Sequence, residues 1–197
     1  MTLRLERPMT NSGSNKFKAA VDDIASTDAD VRAAAMDTLA GIAAGEAAPL
    51  FRQGLRDTDE RVRSHAARGL VRIGHAEALA ACLGTIDDNP DELHLDLTPS
   101  VHALGEMGIE AIAPLLDLMS SGERDTRMHA QRALEIIVAR RFGFRPGQGF
   151  PDENAGSAAG RVWADNGGYD FSAKAEDRNA SIVIWRRWLA NVRSERP

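Results

Sequence analysis

The sequence has few of the features on which several protein classes depend. Cys82 is the single cysteine among 197 residues, which excludes an internal disulfide and a cysteine-rich zinc site. No apolar run reaches the length of a membrane span, and the opening MTLRLERPMTNSGSNK has no apolar core of the kind that a signal peptide needs. We therefore expect a cytoplasmic protein whose first 15 residues form a flexible tail.

Excess positive charge and catalytic motifs are also missing. The formal net charge of −5 argues against a general affinity for nucleic acid or anionic lipid, although it is compatible with a local basic stripe. The chain has no glycine-rich phosphate loop, Gly-x-Ser-x-Gly elbow or Cys-His pairing. His102 and Glu106 could supply two metal ligands, but zinc and iron sites need three or four. We expect no enzyme activity, no metal and no cofactor.

What the sequence does contain is an internal repeat. The segments VRAAAMDTLAGI, VRSHAARGLVRIG and TRMHAQRALEII align with one another, and HALGEMG is a degraded further copy. Their anchor leucines, Leu39, Leu70, Leu104 and Leu134, are 31, 34 and 30 residues apart. This period is typical of stacked helical hairpins. Because one hairpin cannot bury its own apolar face, neighbouring copies must pack together.

Each clear copy has the pattern of a helix that follows an acidic turn. In the second copy, Val62, Ala66 and Leu70 share one helical face. Acidic residues that can cap these helices precede the clear copies, namely Asp28, Asp30, Asp57, Asp59 and Asp125. Partner helices are predicted over about 16–25, 47–55, 76–86 and 109–119. Pro49 and Pro114 are each expected in a first turn, where a missing N–H costs little.

These residues resemble the HEAT-repeat family, in particular the bacterial variety related to phycobilin-lyase repeats. The resemblance covers about residues 16–138 and is best at DERVR (59–63), Ala66-Ala67, Leu70 and Ile73-Gly74. It implies an all-α fold, an α-solenoid of about four HEAT-type helix hairpins. The third copy departs from the pattern, with Asp96-Leu97 in place of Val-Arg and Pro99 close behind. We expect a kink or a shortened helix there.

The resemblance also implies roles for the Val-Arg helices, which line the inner, concave surface in HEAT proteins. Arg32, Arg63 and Arg127 would each bond to an acidic turn of a neighbouring repeat as a structural ladder. The exposed side of the same helices would form a mainly basic stripe for an acidic protein surface, or else a solvated face. A nucleic acid fits this stripe less well, because it has no interleaved aromatic residues. The predicted stripe consists of His65, Arg68, Arg72, His102, Glu106, His129 and Arg132.

Residues 139–197 differ in composition from the repeats. Eight of the ten aromatic residues lie beyond residue 140. Residues 143–168 show no clear helical period, so we expect a functional loop or a partly disordered segment. An amphipathic helix follows over about 175–192, with Ile182, Trp185 and Leu189 on one face. This region either caps the apolar end of the last repeat or presents Trp163 and Tyr169 as an aromatic anchor for a partner.

Together these features predict a protein–protein interaction module, an adaptor or scaffold. It would bind an acidic partner through the concave basic stripe, with the aromatic C-terminal region as a second binding site. The alternative is a cofactor-handling or lyase-like HEAT protein, and less favoured still is a nucleic-acid repair protein. Fold-level resemblance alone supports these alternatives, and such resemblance does not specify chemistry.

Overall fold

The structure, a computed structural model, describes residues 11–42, 45–91 and 93–194, and its regular elements there are helices. The predicted all-α class is confirmed. No helix in the described part is long and apolar enough to cross a membrane. The helices are α1 (Asn11–Asp23), α2 (Ala29–Ile42), a 3₁₀ turn (Gly45–Ala47), α3 (Ala48–Gly54), α4 (Glu60–Arg72), α5 (Ala78–Gly84), α6 (Pro99–Met107), α7 (Ile109–Ser121), α8 (Arg124–Arg141), α9 (Glu153–Asp165) and α10 (Ala175–Ser194).

The chain divides into two compact units, Met1–Ala78 and Leu79–Pro197. In unit 1, α1 packs on α2, α2 on α4 and α3 on α4. The anchors Leu39 and Leu70 are fully buried there. A side chain at Gly69 would place its Cβ 2.3 Å from the Phe51 ring, so glycine is required where α3 and α4 touch.

In unit 2, α6 and α7 each pack on α8, while α10 packs on α7 and α9 on α8. Leu104 and Leu134 are again fully buried. The predicted shortening of the third copy is confirmed, because α6 has only nine residues. It begins at Pro99, and the Thr98 hydroxyl caps it by accepting from the Val101 N–H at 3.1 Å. Proline as the first helical residue lacks only an N–H that would have no intrahelical partner, so no kink results.

Three expectations about local structure are wrong. Residues 143–168 are not one long loop, because they contain α9, capped by the Asp152 carboxylate. Pro114 lies inside α7 rather than in its first turn, since that helix already begins at Ile109. The predicted flexible tail over 1–15 is wrong for residues 11–15, which belong to α1, while residues 1–10 lie outside the described part.

A register repeat extends into the last helix. The fourth residue of four helices is an arginine that donates to the backbone carbonyl five residues before it, and these are Arg32, Arg63, Arg127 and Arg178. Seven residues later comes a fully buried side chain, and these are Leu39, Leu70, Leu134 and Trp185. Thus α10 keeps the register of the repeats, with tryptophan where the others have leucine.

Candidate functional site

The predicted stripe has residues in both units, and in unit 1 it lies on α4. His65 Nδ1 is 2.9 Å from a carboxylate oxygen of Asp37 on α2. Arg68 is half-buried and Arg72 is exposed. Neither arginine has an ion pair within the described ranges. In unit 1 the predicted stripe residues are therefore two arginines without an ion pair to a described residue and a histidine close to an acidic neighbour.

The predicted arginine ladder is confirmed at one position. Arg32 donates from Nε and Nη2 to the two Asp57 oxygens at 2.8 and 2.7 Å, a bidentate geometry that favours both charges. Hydrogen bonding from Arg32 lowers the pKa of Asp57. Arg63 donates to the Asp57 backbone carbonyl at 3.1 Å. Arg127 donates to the Phe171 carbonyl at 3.2 Å, so the turn that it ties is not the acidic turn predicted for it.

His129, predicted on the exposed stripe, is instead buried, with 3% of its surface accessible. Its Nδ1 is 2.6 Å from Asp87 Oδ1, and its Nε2 is 2.8 Å from the Leu95 carbonyl oxygen. Both partners are acceptors, so both ring nitrogens can donate only when the imidazole is protonated. Burial alone would lower the pKa of His129, but these hydrogen bonds outweigh it and raise the pKa. The residue ties the α5–α6 loop to α8 and is not available to a partner.

Two of the other three stripe residues of unit 2 line a pocket. His102 and Glu106 are exposed on α6, and His102 lines the pocket together with Arg132 of α8. Arg132 lies 3.1 Å from an Asp96 oxygen and 3.1 Å from a Glu135 oxygen. Because two carboxylates offset its charge, the stripe is much less basic here than the sequence predicts.

The pocket itself is a cavity of about 370 Å³ with mostly apolar walls. Its lining residues are Leu97, His102, Arg132, Glu135, Ile136, Ala139, Phe144, Pro146, Gly147 and Phe150. One wall is the segment FGFRPGQGFP, in which the backbones of Arg145 and Gly149 pair and the Phe144 and Phe150 rings lie 5.2 Å apart. Gly147 has a φ of +75°, which favours glycine at this turn. We name this pocket the α6–α8 pocket.

Two exposed leucines lie in the α5–α6 loop of unit 2. Leu93 is 88% exposed and Leu95 is 63% exposed. The loop is held by hydrogen bonds rather than by apolar packing: the Asp91 N–H donates to the Leu97 carbonyl at 2.8 Å. Leu97 also lines the α6–α8 pocket. We call residues 91 and 93–97 the leucine loop, and we call the loop and the pocket together the pocket face.

The helical repeat pattern did not predict the pocket face. Two signals could have indicated it: leucines alternate with polar residues in DELHLDL outside any helical pattern, and glycine alternates with phenylalanine around Phe144 and Phe150. Neither pattern shows by itself that these segments line one cavity, because Leu97 and Gly143 are 46 positions apart in the sequence.

The predicted aromatic anchor is wrong for Tyr169, which is buried, and Trp163 is only partly accessible. Tyr169 is buried and donates its hydroxyl to the Met119 carbonyl at 2.7 Å. Trp163 is half-buried, and its ring lies 5.2 Å from the fully buried Trp185 ring. The predicted buried face of α10 is confirmed, since Ile182 and Leu189 are buried beside Trp185. These contacts favour the capping interpretation.

The described residues offer little chemistry for catalysis or metal binding. No group of three or more His, Cys, Asp or Glu side chains could hold a metal ion within them. The Cys82 thiol is buried, and burial raises its pKa to about 12, so it is a poor nucleophile.

Comparison with known families bears on the repeats directly. Residues 18–94 match the family model of HEAT repeats. The repeats of this segment are therefore similar to HEAT repeats. The match covers α2 and α4 and their partner helices, and it confirms the resemblance inferred from DERVR and Leu70. The narrower resemblance to phycobilin-lyase repeats stays a prediction. No curated protein matches the chain.

Proposed function

We propose that this HEAT-repeat protein is a non-catalytic, cytoplasmic adaptor that binds a protein partner through the pocket face. HEAT repeats are commonly protein-interaction modules, and the α6–α8 pocket is the observation that supports a specific surface. An apolar pocket bordered by polar groups is the geometry in which a partner's anchor side chain becomes buried. Leu93 and Leu95 add exposed apolar area beside it, which is typical of interaction surfaces.

The polar groups of the pocket support a protein side chain as the occupant better than a small polar molecule. Both Glu135 oxygens already accept hydrogen bonds, from Gln131 at 2.8 Å and from Arg132 at 3.1 Å. A site for a small polar ligand needs polar groups whose hydrogen bonds are available to it. Among the polar side chains that line the pocket, His102 alone has no hydrogen bond or ion pair to another described residue. Apolar contact with the Phe144 and Phe150 rings therefore dominates what the pocket offers.

The decisive experiment is capture from native cell extract followed by reconstitution. The bait is compared with an Ala139→Phe variant, which should fill the pocket from α8, and with Val183→Ser as the control. Val183 is also an exposed apolar residue of unit 2, 58% accessible, but it does not line the pocket. We expect wild type and control to retain the same protein, and Ala139→Phe to lose it. Calorimetry with the purified partner should show an affinity loss of about tenfold or more.

Helical circular dichroism and the unfolding midpoint must be equal in all three proteins for this comparison. Equal retention by the three would contradict the proposed surface. Retention of a chromophore or other small cofactor, with no protein partner, would instead favour the lyase-like alternative, which no contact in the structure specifically supports.

A further inference from the structure

The two ends of the pocket face carry opposite charge. At one end, the described residues of the leucine loop include Asp91 and Asp96 and no lysine or arginine, and Asp96 lies 3.1 Å from Arg132 of the pocket. At the other end, Arg140 and Arg141 close α8, and the exposed Arg145 lies on the glycine-rich wall. Neither Arg140 nor Arg145 has an ion pair within the described residues. The α6–α8 pocket lies between these ends, because Leu97 and Phe144 both line it.

The leucine loop presents its two leucines in a fixed conformation. An Asp91 carboxylate oxygen accepts from the N–H groups of Leu93 and His94 at 2.8 and 3.0 Å. The Leu97 N–H donates to the His94 carbonyl at 2.8 Å, and His129 Nε2 lies 2.8 Å from the Leu95 carbonyl oxygen. A loop that is ordered before binding loses little conformational entropy when its side chains become buried.

We propose that the partner of the pocket face is a second copy of this chain, a specification that rests on the proposed function. Two copies related by a two-fold axis would each place Leu93 and Leu95 over the other's α6–α8 pocket. A two-fold interface requires a patch that is complementary to itself. A patch that is acidic at one end, basic at the other and apolar between them meets this requirement, because the axis brings the leucine loop of each copy to Arg140 and Arg145 of the other.

Sedimentation of the full chain, from low to high micromolar concentration, tests this directly. We expect a reversible dimer for wild type and for the Val183→Ser control. Leu93→Ser/Leu95→Ser removes the inserted side chains, and Ala139→Phe fills the pocket. Each should weaken dimerisation by about tenfold or more. Arg140→Glu/Arg145→Glu should weaken it too, because it makes both ends of the face acidic. All these positions except Ala139 are exposed, so folding should be unaffected.

Mixing two defective variants distinguishes reciprocal insertion from other dimers. Leu93→Ser/Leu95→Ser keeps an open pocket, and Ala139→Phe keeps the leucines. Each variant alone has no leucine-in-pocket contact, whereas a mixed pair regains one of the two. An equimolar mixture should therefore contain heterodimer at concentrations where both separate solutions are monomeric.

A monomeric wild type would overturn the self-association, as would a dimer that the pocket-face variants do not weaken or a mixture that recovers nothing. The proposed function is judged separately by the capture experiment. If a foreign protein is retained by wild type and lost by Ala139→Phe while the chain sediments as a monomer, the pocket face binds that protein and the second copy is the wrong partner.

Discussion

Two inter-helix turns, one in each unit, are held by different chemistry. In unit 1, Arg32 reaches the turn before α4 and binds Asp57 in bidentate fashion. In unit 2, the loop before α6 is held by His129, which contacts Asp87 and the Leu95 carbonyl. A regular repeat thus uses a guanidinium, whereas a degraded repeat with a longer preceding loop uses an imidazole.

Where the repeat pattern is lost, the turn is still held by side-chain hydrogen bonds. The pH range over which those hydrogen bonds persist is different. A guanidinium keeps its proton at every pH at which a protein is folded. An imidazole changes charge close to neutrality. The Arg32–Asp57 contact should therefore persist until Asp57 is protonated in acid, whereas the His129 contacts should weaken as the pH rises through the pKa of His129.

The largest expected effect concerns the end of unit 2. Trp185 takes the place of the anchor leucines and packs against Trp163 and Trp188 at tilted and edge-on angles, each at 5.2 Å between ring centroids. Trp185→Ala should lower the free energy of unfolding by about 3–5 kcal/mol, because a large, fully buried side chain is lost. Chemical denaturation measures this. An unchanged midpoint would show that α10 is not an integral part of the core.

Close helix contacts at glycine should matter in both units. A Cβ at Gly69 would lie 2.3 Å from Phe51, and one at Gly105 would lie 2.4 Å from Ile136. Each glycine-to-alanine change should cost about 1–3 kcal/mol through overpacking. Gly160→Ala is the matched control, since nothing lies within 4 Å of a Cβ there, and it should stabilise α9 by about 0.5–1 kcal/mol. Three equal values from thermal unfolding would refute the packing account.

A smaller effect is expected at the C-terminal end of α7, where a side chain satisfies a backbone carbonyl. The Met119 carbonyl is among the last four of α7, which lack partners within the helix. Tyr169 donates to it at 2.7 Å. Tyr169→Phe should therefore cost about 1 kcal/mol, the net value of such a bond. Urea denaturation with Phe142→Leu as an aromatic control should show the loss in the tyrosine variant only.

The pH dependence is the subtlest contrast between the units. Because the folded pKa of His129 is raised, its stabilising contribution is complete below the ordinary value of about 6.5 and is lost as pH rises through the folded pKa. Asp87, whose lowered pKa follows from hydrogen bonds from His129 and Thr126 that outweigh burial, loses its contribution only in acid, below about pH 4.

We therefore expect the thermal midpoint of the wild type to fall between about pH 6 and pH 9. His129→Gln should flatten this slope, whereas His102→Gln, at an exposed histidine, should not. Hydrogen exchange at the leucine loop should speed up over the same range, with the turn held by Arg32 as the internal reference. Equal dependence of the thermal midpoint on pH in wild type and His129→Gln would contradict the proposed role of protonated His129.

The repeats were the part of the fold that the sequence predicts well. Leu39, Leu70 and Leu134 recur at a helical-hairpin period, and their burial follows from that alone. The helix α9 was not predicted because ENAGSAAGRVWAD contains four alanines and two glycines but only two large apolar residues, Val162 and Trp163. Its apolar periodicity is therefore weak. The cap at Asp152, one residue before the helix, was the available signal.

The binding surface could be predicted only in part. Helical spacing correctly placed Arg68, His102 and Glu106 on accessible helix faces. It misplaced His129 because the α5–α6 loop covers that residue, and a loop conformation fixed by distant hydrogen bonds does not follow from periodicity. It also overstated the positive charge, since Arg132 meets Asp96, which precedes α6 in a loop whose path the repeat pattern does not determine.

The burial of Cys82 has a practical consequence for anyone who labels this protein. A buried thiol with a pKa near 12 carries almost no thiolate at neutral pH, so maleimide reagents should leave it unmodified in the folded state. A cysteine introduced at Leu93 would then be the sole reactive thiol. The wild-type chain is thus already a suitable background for attaching one fluorophore or spin label at a chosen position, with no native cysteine to remove.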